Sequence, residues 1–234
     1  IGCKLIDGAG NFLPESKRGV PTPWVAFTKI FGLYKISSYF GKYYAQHLAE
    51  NESGKVDILV GAFMIMKREL YLEVGGFDED CFMYSDDIDL SYLVLKSGKS
   101  NYYFHETSVI HYKGESTVRD GTYMKRFREA MQFFYKKHFK KSWFFDVMMQ
   151  VGSFVFSLLK KNQQKNEVRT IDEYIVFSKG NLELNLSKKA TYLADFNQFV
   201  NQPQKNIEII FDTTTFSFTE IITFMQLNKR KNIS

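Results

Sequence analysis

Carboxylates crowd one short stretch of this chain, at Asp78, Glu79, Asp80, Asp86, Asp87 and Asp89. Acids at this density can take a proton from a hydroxyl, hold a cation, or offset the positive end of a helix dipole. Gly75-Gly76-Phe77 precede them, and Ser85 is a favoured N-cap type in front of Asp86-Asp87. Ile88, Leu90, Tyr92, Leu93 and Leu95 continue as an apolar helix that Gly98 ends. The pattern reads as a tight glycine turn, an acidic loop, and a helix whose N-terminus presents Asp86 and Asp87. An EF-hand calcium loop is excluded, since it needs alternating oxygen ligands, a central glycine and a terminal Glu. Here Cys81-Phe82-Met83-Tyr84 split the acids into two clusters. The dipole reading stays open beside the catalytic one.

Other elements must position these acids. Val56 to Val60 reads as a strand, and Gly61-Ala62 after it would let a ligand approach the backbone. Phe63 to Met66 is a second apolar run, and Lys67 to Val74 an amphipathic helix entering the glycine turn. Upstream, Cys3 to Ile6 is strand-like and Asp7-Gly8-Ala9-Gly10-Asn11 a turn; Pro14, Pro21 and Pro23 keep the next stretch extended. Arg18 in that stretch has the residue type to reach a phosphate or an acidic acceptor, against the alternative of a solvated loop arginine. Trp24, Phe27, Phe31 and Tyr34 fall at helical spacing, for a core face or for a membrane or lipid-acceptor surface.

Asn101 to His105 and Ser108 to His111 read as two short strands. A strand-end His111 suits either a structural role or, as a neutral imidazole, a divalent cation, and Lys113 could sit against a phosphate. Residues 121–141 read as a basic amphipathic helix, with Tyr123, Phe127, Ala130, Met131 and Phe134 as its apolar stripe. Lys125, Arg126, Arg128, Lys136, Lys137, Lys140 and Lys141 surround that stripe, as a solvated face or an anionic-lipid face. Trp143 to Leu159 is apolar but falls short of the ~20 residues a span needs, and reads as an interfacial helix.

The 234 residues suffice for one large or two small domains. A net charge of +5, coexisting with an acidic centre, argues against a nucleic-acid partner. Two cysteines, Cys3 and Cys81, make neither a disulfide scaffold nor a metal spacing and fit a reducing compartment. The chain opens Ile1-Gly2-Cys3 and is expected to be a piece of a longer protein.

Four blocks then stand in a telling order: Gly61-Ala62-Phe63-Met64-Ile65-Met66-Lys67-Arg68, Val74-Gly75-Gly76-Phe77-Asp78-Glu79-Asp80, Asp86-Asp87-Ile88-Asp89-Leu90 and Val109-Ile110-His111-Tyr112-Lys113-Gly114. Together they resemble the C-terminal half of family 2 glycosyltransferases, most of all the bacterial rhamnosyltransferase-like enzymes of surface-polysaccharide synthesis. The resemblance covers roughly residues 1–141. It implies an α/β fold of the GT-A type and an inverting transfer from a nucleotide-sugar donor to a saccharide or lipid-linked saccharide acceptor. It assigns the general base to Asp87 and the acceptor site to Gly75, Gly76, Phe77, Asp78 and Asp86. It assigns His111 and Lys113 to the metal or the diphosphate, with magnesium or manganese as cofactor. Asp86 stands where many members carry Glu, which keeps the charge and shortens the reach. The family's nucleotide-binding half, with its Asp-x-Asp motif, is not in this chain, so the piece alone is expected to be inactive. The implied place is cytoplasmic, peripheral on the inner membrane surface.

Beyond a polar linker, Tyr174 to Phe177 and Ile207 to Phe211 read as strands and Phe218 to Asn228 as a helix. They resemble a partial Rossmann-like extension without a glycine-rich phosphate loop. The expected divisions are 1–141, 142–170 and 171–234. A non-enzyme reading stays open: a membrane-peripheral binding or scaffold module derived from a glycosyltransferase.

Overall fold

The computed structural model describes residues 1–22, 24–25, 43–81, 84–112, 121–139, 147, 170–180, 182–200 and 205–229. It is a mixed α/β structure of two compact units, one of residues 1–5 and 13–164, the other of 6–12 and 165–234. The expected helix at 143–159, apart from residue 147, the polar linker and most of the aromatic stretch lie outside the described residues.

In the first unit, strands β1 (Gly2–Ile6), β2 (Gly54–Val56) and β3 (Asn101–Ile110) form a sheet of order β1-β3-β2. β2 pairs antiparallel with β3, Gly54 opposite Tyr103. The two short strands expected around His105 are one continuous strand, and His111 follows its end. Of the expected strand at 56–60 only Val56 lies in β2, because the chain then leaves the sheet to pair elsewhere. There Arg18 and Ile58 exchange backbone hydrogen bonds of 3.0 and 2.9 Å. Pro14–Ser16 forms one turn of 3-10 helix inside the expected extended loop.

Helix α1 (Arg68–Glu73) buries none of its residues. It ends in the glycine turn, where Gly75 and Gly76 have φ of 91° and 67°. A side chain at Gly76 would also collide with the Tyr71 ring, its Cβ falling 2.7 Å from Cζ. Helix α2 (Asp86–Lys96) buries Ile88, Leu90 and Val94, and Gly98, at φ 78°, lets the chain turn away after it. Helix α3 (Gly121–His138) runs beside α2, and Ile58, Ile88, Met131, Phe134 and Tyr135 make the shared core. The expected stripe is present at Ala130, Met131 and Phe134; of Tyr123 and Phe127 the backbone alone is described.

The second unit is a parallel sheet of order β5-β4-β6, from β4 (Glu173–Phe177), β5 (Ala190–Leu193) and β6 (Ile207–Phe211). Helix α4 (Phe218–Leu227) follows β6 and seals the sheet with Ile221 and Phe224 against Ile175, Phe177 and Ile207. Ser217 and Glu220 cap the start of α4 reciprocally. The expected strands and helix are all present; β5 escaped notice because Ala-Thr-Tyr-Leu carries no apolar run.

Candidate functional site

Asp87 is buried against Arg18 rather than presented to solvent. Arg18 Nη2 donates to Asp87 Oδ2 at 2.6 Å and to the Leu59 carbonyl at 2.8 Å. The Gly61 amide donates to the same Oδ2 at 2.9 Å. Arg18 is therefore no solvated loop residue. Its backbone pairing with Ile58 aims the side chain at α2, and the 57–61 segment is in turn laced to that helix. Asn101 Nδ2 bonds the Asp57 and Ser91 carbonyls at 2.6 and 2.9 Å, and the Leu59 amide reaches Ser91 Oγ at 3.2 Å. Gly61 lies close against the acid: a Cβ there would stand 3.2 Å from Asp87 Cβ, a contact tight enough that one of the two would have to give by a few tenths of an ångström.

This pair sets the local electrostatics. Burial, the largest single influence, works against the Arg18 charge, but Asp87 and Tyr43 together outweigh it and hold the guanidinium pKa above its usual value. Asp86, half-buried next to Asp87, has its carboxyl pKa raised, by burial first and by the neighbouring Asp87 charge second. Two adjacent acids are thus differentiated: Asp87 is in direct contact with a cation, whereas among the described residues Asp86 makes no ion pair. Among the described residues the two donors to the Asp87 carboxylate both fall on Oδ2, leaving Oδ1 for an incoming group.

The glycine turn is held at three places. The Gly76 amide donates to the Tyr71 carbonyl at 2.9 Å, and the Phe77 amide to Tyr71 Oη at 3.2 Å. Phe77 lies edge-on to the Tyr71 ring, centroids 6.0 Å apart, and is 47% exposed, so its ring is available to a ligand. Asp78 Oδ1 accepts from the Asp80 amide at 3.0 Å and Oδ2 from Lys137 Nζ at 2.5 Å. At the far end Cys81 Sγ meets Ser85 Oγ at 3.0 Å, and Ser85 Oγ donates to the Ala130 carbonyl at 3.0 Å. Ser85 occupies the N-cap position of α2, yet its side chain makes no capping bond because it is used between helices.

Residue types alone missed a third acid. Asp89 is 1% exposed and takes Lys137 on Oδ2 at 2.8 Å and His138 Nε2 on Oδ1 at 2.5 Å. Lys137, expected on a lipid-facing or solvated face, is instead divided between Asp78 and Asp89. The signal available was position: Lys137 and His138 close a helix whose neighbours Phe134 and Tyr135 face the core.

His111, partly exposed, follows the end of β3, and Lys113 lies outside the described residues. Among the described residues no three His, Cys, Asp or Glu side chains gather into a metal-binding group. None of the described helices is long and apolar enough to cross a membrane. An open depression of about 680 Å³ in the second unit is lined by Gly180, Leu182, Glu183, Leu184 and Tyr192, none of them an expected site residue.

No family model matches the chain, and no solved structure matches it. Two curated proteins do, each an N-acetylglucosaminyl-diphospho-decaprenol L-rhamnosyltransferase of Mycobacterium tuberculosis, from strains CDC 1551 / Oshkosh and ATCC 25618 / H37Rv. Each is 38% identical over 120 residues, a match that spans 51% of this chain and 39% of the relative. Over half its length, then, the chain is similar to glycosyltransferases named for a lipid-linked sugar acceptor.

Proposed function

We propose that this chain is the acceptor-side part of an inverting glycosyltransferase with a GT-A-type catalytic fold. It moves a hexose from a nucleotide-diphosphate donor to a saccharide or lipid-linked saccharide in cell-surface polysaccharide synthesis. The carrying observation is the anchored acid pair at the start of α2: Asp87 fixed through one oxygen by Arg18 and Gly61, with Asp86 beside it. The 38% identity to the two rhamnosyltransferases supports the same reading.

In this reading Asp87 Oδ1 takes the proton of the acceptor hydroxyl as that oxygen bonds the anomeric carbon. The bond from that carbon to the diphosphate oxygen breaks, and the electron pair leaves with the nucleoside diphosphate. Attack opposite the leaving group inverts the anomeric centre. Phe77 offers a ring face, Asp78 accepts hydrogen bonds from sugar hydroxyls, and Gly75 and Gly76 keep the turn open to the acceptor. Asp86 borders the same acceptor site. His111 and Lys113 are assigned to the diphosphate side, where His111 could supply one ligand to a magnesium or manganese ion. The proposed place is the cytoplasmic face of the membrane, as a peripheral protein.

A second assignment has one observation in its favour. Asp87 is already engaged by Arg18 in a buried ion pair, whereas burial and the neighbouring Asp87 charge raise the pKa of Asp86 and strengthen that carboxylate as a base. Turnover of nucleotide-sugars by the full-length gene product separates the two. Asp87→Asn is expected to cost about 10²–10⁴ in kcat with an unchanged melting curve, and Asp86→Asn much less, on the usual worth of a general base. The reverse ranking moves the base to Asp86. No turnover in wild type across a donor and acceptor panel favours the binding or scaffold reading.

A further inference from the structure

We propose that Lys137 is a positioning residue for the acceptor side of the site, tying Asp78 in the glycine turn to Asp89 on the helix that carries Asp86 and Asp87. The inference rests on the transferase reading above. Its geometry is a single ammonium between two carboxylates. Lys137 Nζ stands 2.5 Å from Asp78 Oδ2 and 2.8 Å from Asp89 Oδ2, with the Phe133 ring centroid 5.7 Å away. The two acids are unlike. Asp89 has a side chain 1% exposed and is immobilised on its other oxygen by His138, so it is a fixed post. Asp78 has a side chain 26% exposed and sits on a turn whose glycines permit several backbone conformations.

An ammonium held by a buried carboxylate therefore decides where the Asp78 carboxylate rests. Without it, the Asp78 carboxylate would keep, among the described residues, the Asp80 amide, a neighbour on the same turn that moves with it. Lys137 touches neither a reacting atom nor, in this reading, the sugar. It acts through Asp78, by setting the direction in which the remaining lone pairs of that carboxylate point. A long-range contact is needed for this, because the Tyr71 bonds fix the turn at residues 76 and 77 and the Asp80 amide ties Asp78 Oδ1 only to its own turn.

The test is steady-state transfer by the full-length gene product, with a nucleoside-diphospho-rhamnose donor and N-acetylglucosaminyl-diphospho-decaprenol as acceptor, each varied separately. Variants are Lys137→Ala, Lys137→Arg, Asp78→Ala and the Asp78→Ala/Lys137→Ala double, with the exposed neighbour Lys136→Ala as charge control. The expected result is a rise of about tenfold in acceptor KM for Lys137→Ala, the worth of one lost charge-assisted bond, with donor KM unchanged. Lys137→Arg restores most of the loss. In the Asp78→Ala background, removing Lys137 adds nothing further, since its effect passes through the missing carboxylate. If Lys137→Ala fails to fold, Lys137→Gln, which keeps an N–H donor, enters the same cycle. Additive effects on acceptor KM, or equal losses for donor and acceptor, overturn the inference while leaving the transferase standing. A wild-type protein that transfers no sugar to any acceptor overturns the transferase reading and this inference with it.

Discussion

Arg18 and Asp87 lie 69 positions apart in the chain and meet at 2.6 Å in the interior. Their side chains are 10% and 12% exposed, so each charge is removed from water and depends on the other. Breaking the pair from one side leaves an uncompensated buried charge. Arg18→Ala is expected to destabilise the first unit by about 3–5 kcal/mol in urea unfolding. Asp78→Ala, which breaks a partly exposed pair, is expected to cost no more than about 1 kcal/mol. Equal costs would show that Arg18 is more hydrated than its burial indicates.

The two turn glycines separate backbone strain from crowding. Gly75 and Gly76 both have positive φ, but a Cβ at Gly75 meets nothing within 4 Å, whereas one at Gly76 lies 2.7 Å from the Tyr71 ring. Gly75→Ala is expected to cost about 1–2 kcal/mol, the left-handed penalty alone. Gly76→Ala carries that penalty plus a shift of Tyr71, and should melt earlier by calorimetry. A Gly75→Ala loss equal to or larger than the Gly76→Ala loss would contradict this geometry.

Acid should loosen α3 through His138. Burial lowers the His138 pKa, against the raising effect of Asp89, and Lys96 and Lys137 lower it further. The Nδ1 atom is buried without a partner among the described residues, consistent with a neutral ring that donates from Nε2 to Asp89. Because the folded pKa lies below the unfolded value of about 6.5, the unfolded chain binds more protons in that window. The contribution is complete above the unfolded value and is lost as pH falls through the folded one. Asp78 adds a second loss at lower pH, since the hydrogen bond from Lys137, then that from Asp80, lowers its pKa. Melting temperature should therefore fall between about pH 7 and 5, and His138→Gln should flatten the upper part of that fall. Parallel curves for wild type and variant would exclude His138 as the cause.

At the start of α4, Ser217→Ala is expected to cost about 1 kcal/mol, because Ser217 Oγ accepts from the Glu220 amide while the Glu220 carboxylate accepts from the Ser217 amide. Phe224→Ala, which empties a site packed against Phe177 and Phe196, should cost about 3–5 kcal/mol. Chemical denaturation followed on the second unit distinguishes the two. A cap loss exceeding the core loss would mean that α4 holds the sheet by its end rather than its face.

Local features of this protein were legible without coordinates. Helix α2 follows from apolar periodicity ended by Gly98, α3 from its stripe, and the glycine turn from Gly75-Gly76, since spacing and backbone permissiveness are properties of neighbouring residues. The strands β4 and β6 and the helix α4 were legible for the same reason. What tertiary structure alone decided was which charges meet. Arg18 reads as a loop cation and Lys137 as one of many on a basic face, yet each is claimed by an acid distant in the chain. Ser85 likewise has the type of an N-cap but is spent on the Ala130 carbonyl. A charge or hydroxyl has the same local signature whether it faces water or a partner; the packing of 57–61 and α3 against α2 removes the water that would otherwise serve Arg18 and Ser85, and brings the still exposed Lys137 within reach of its two acids.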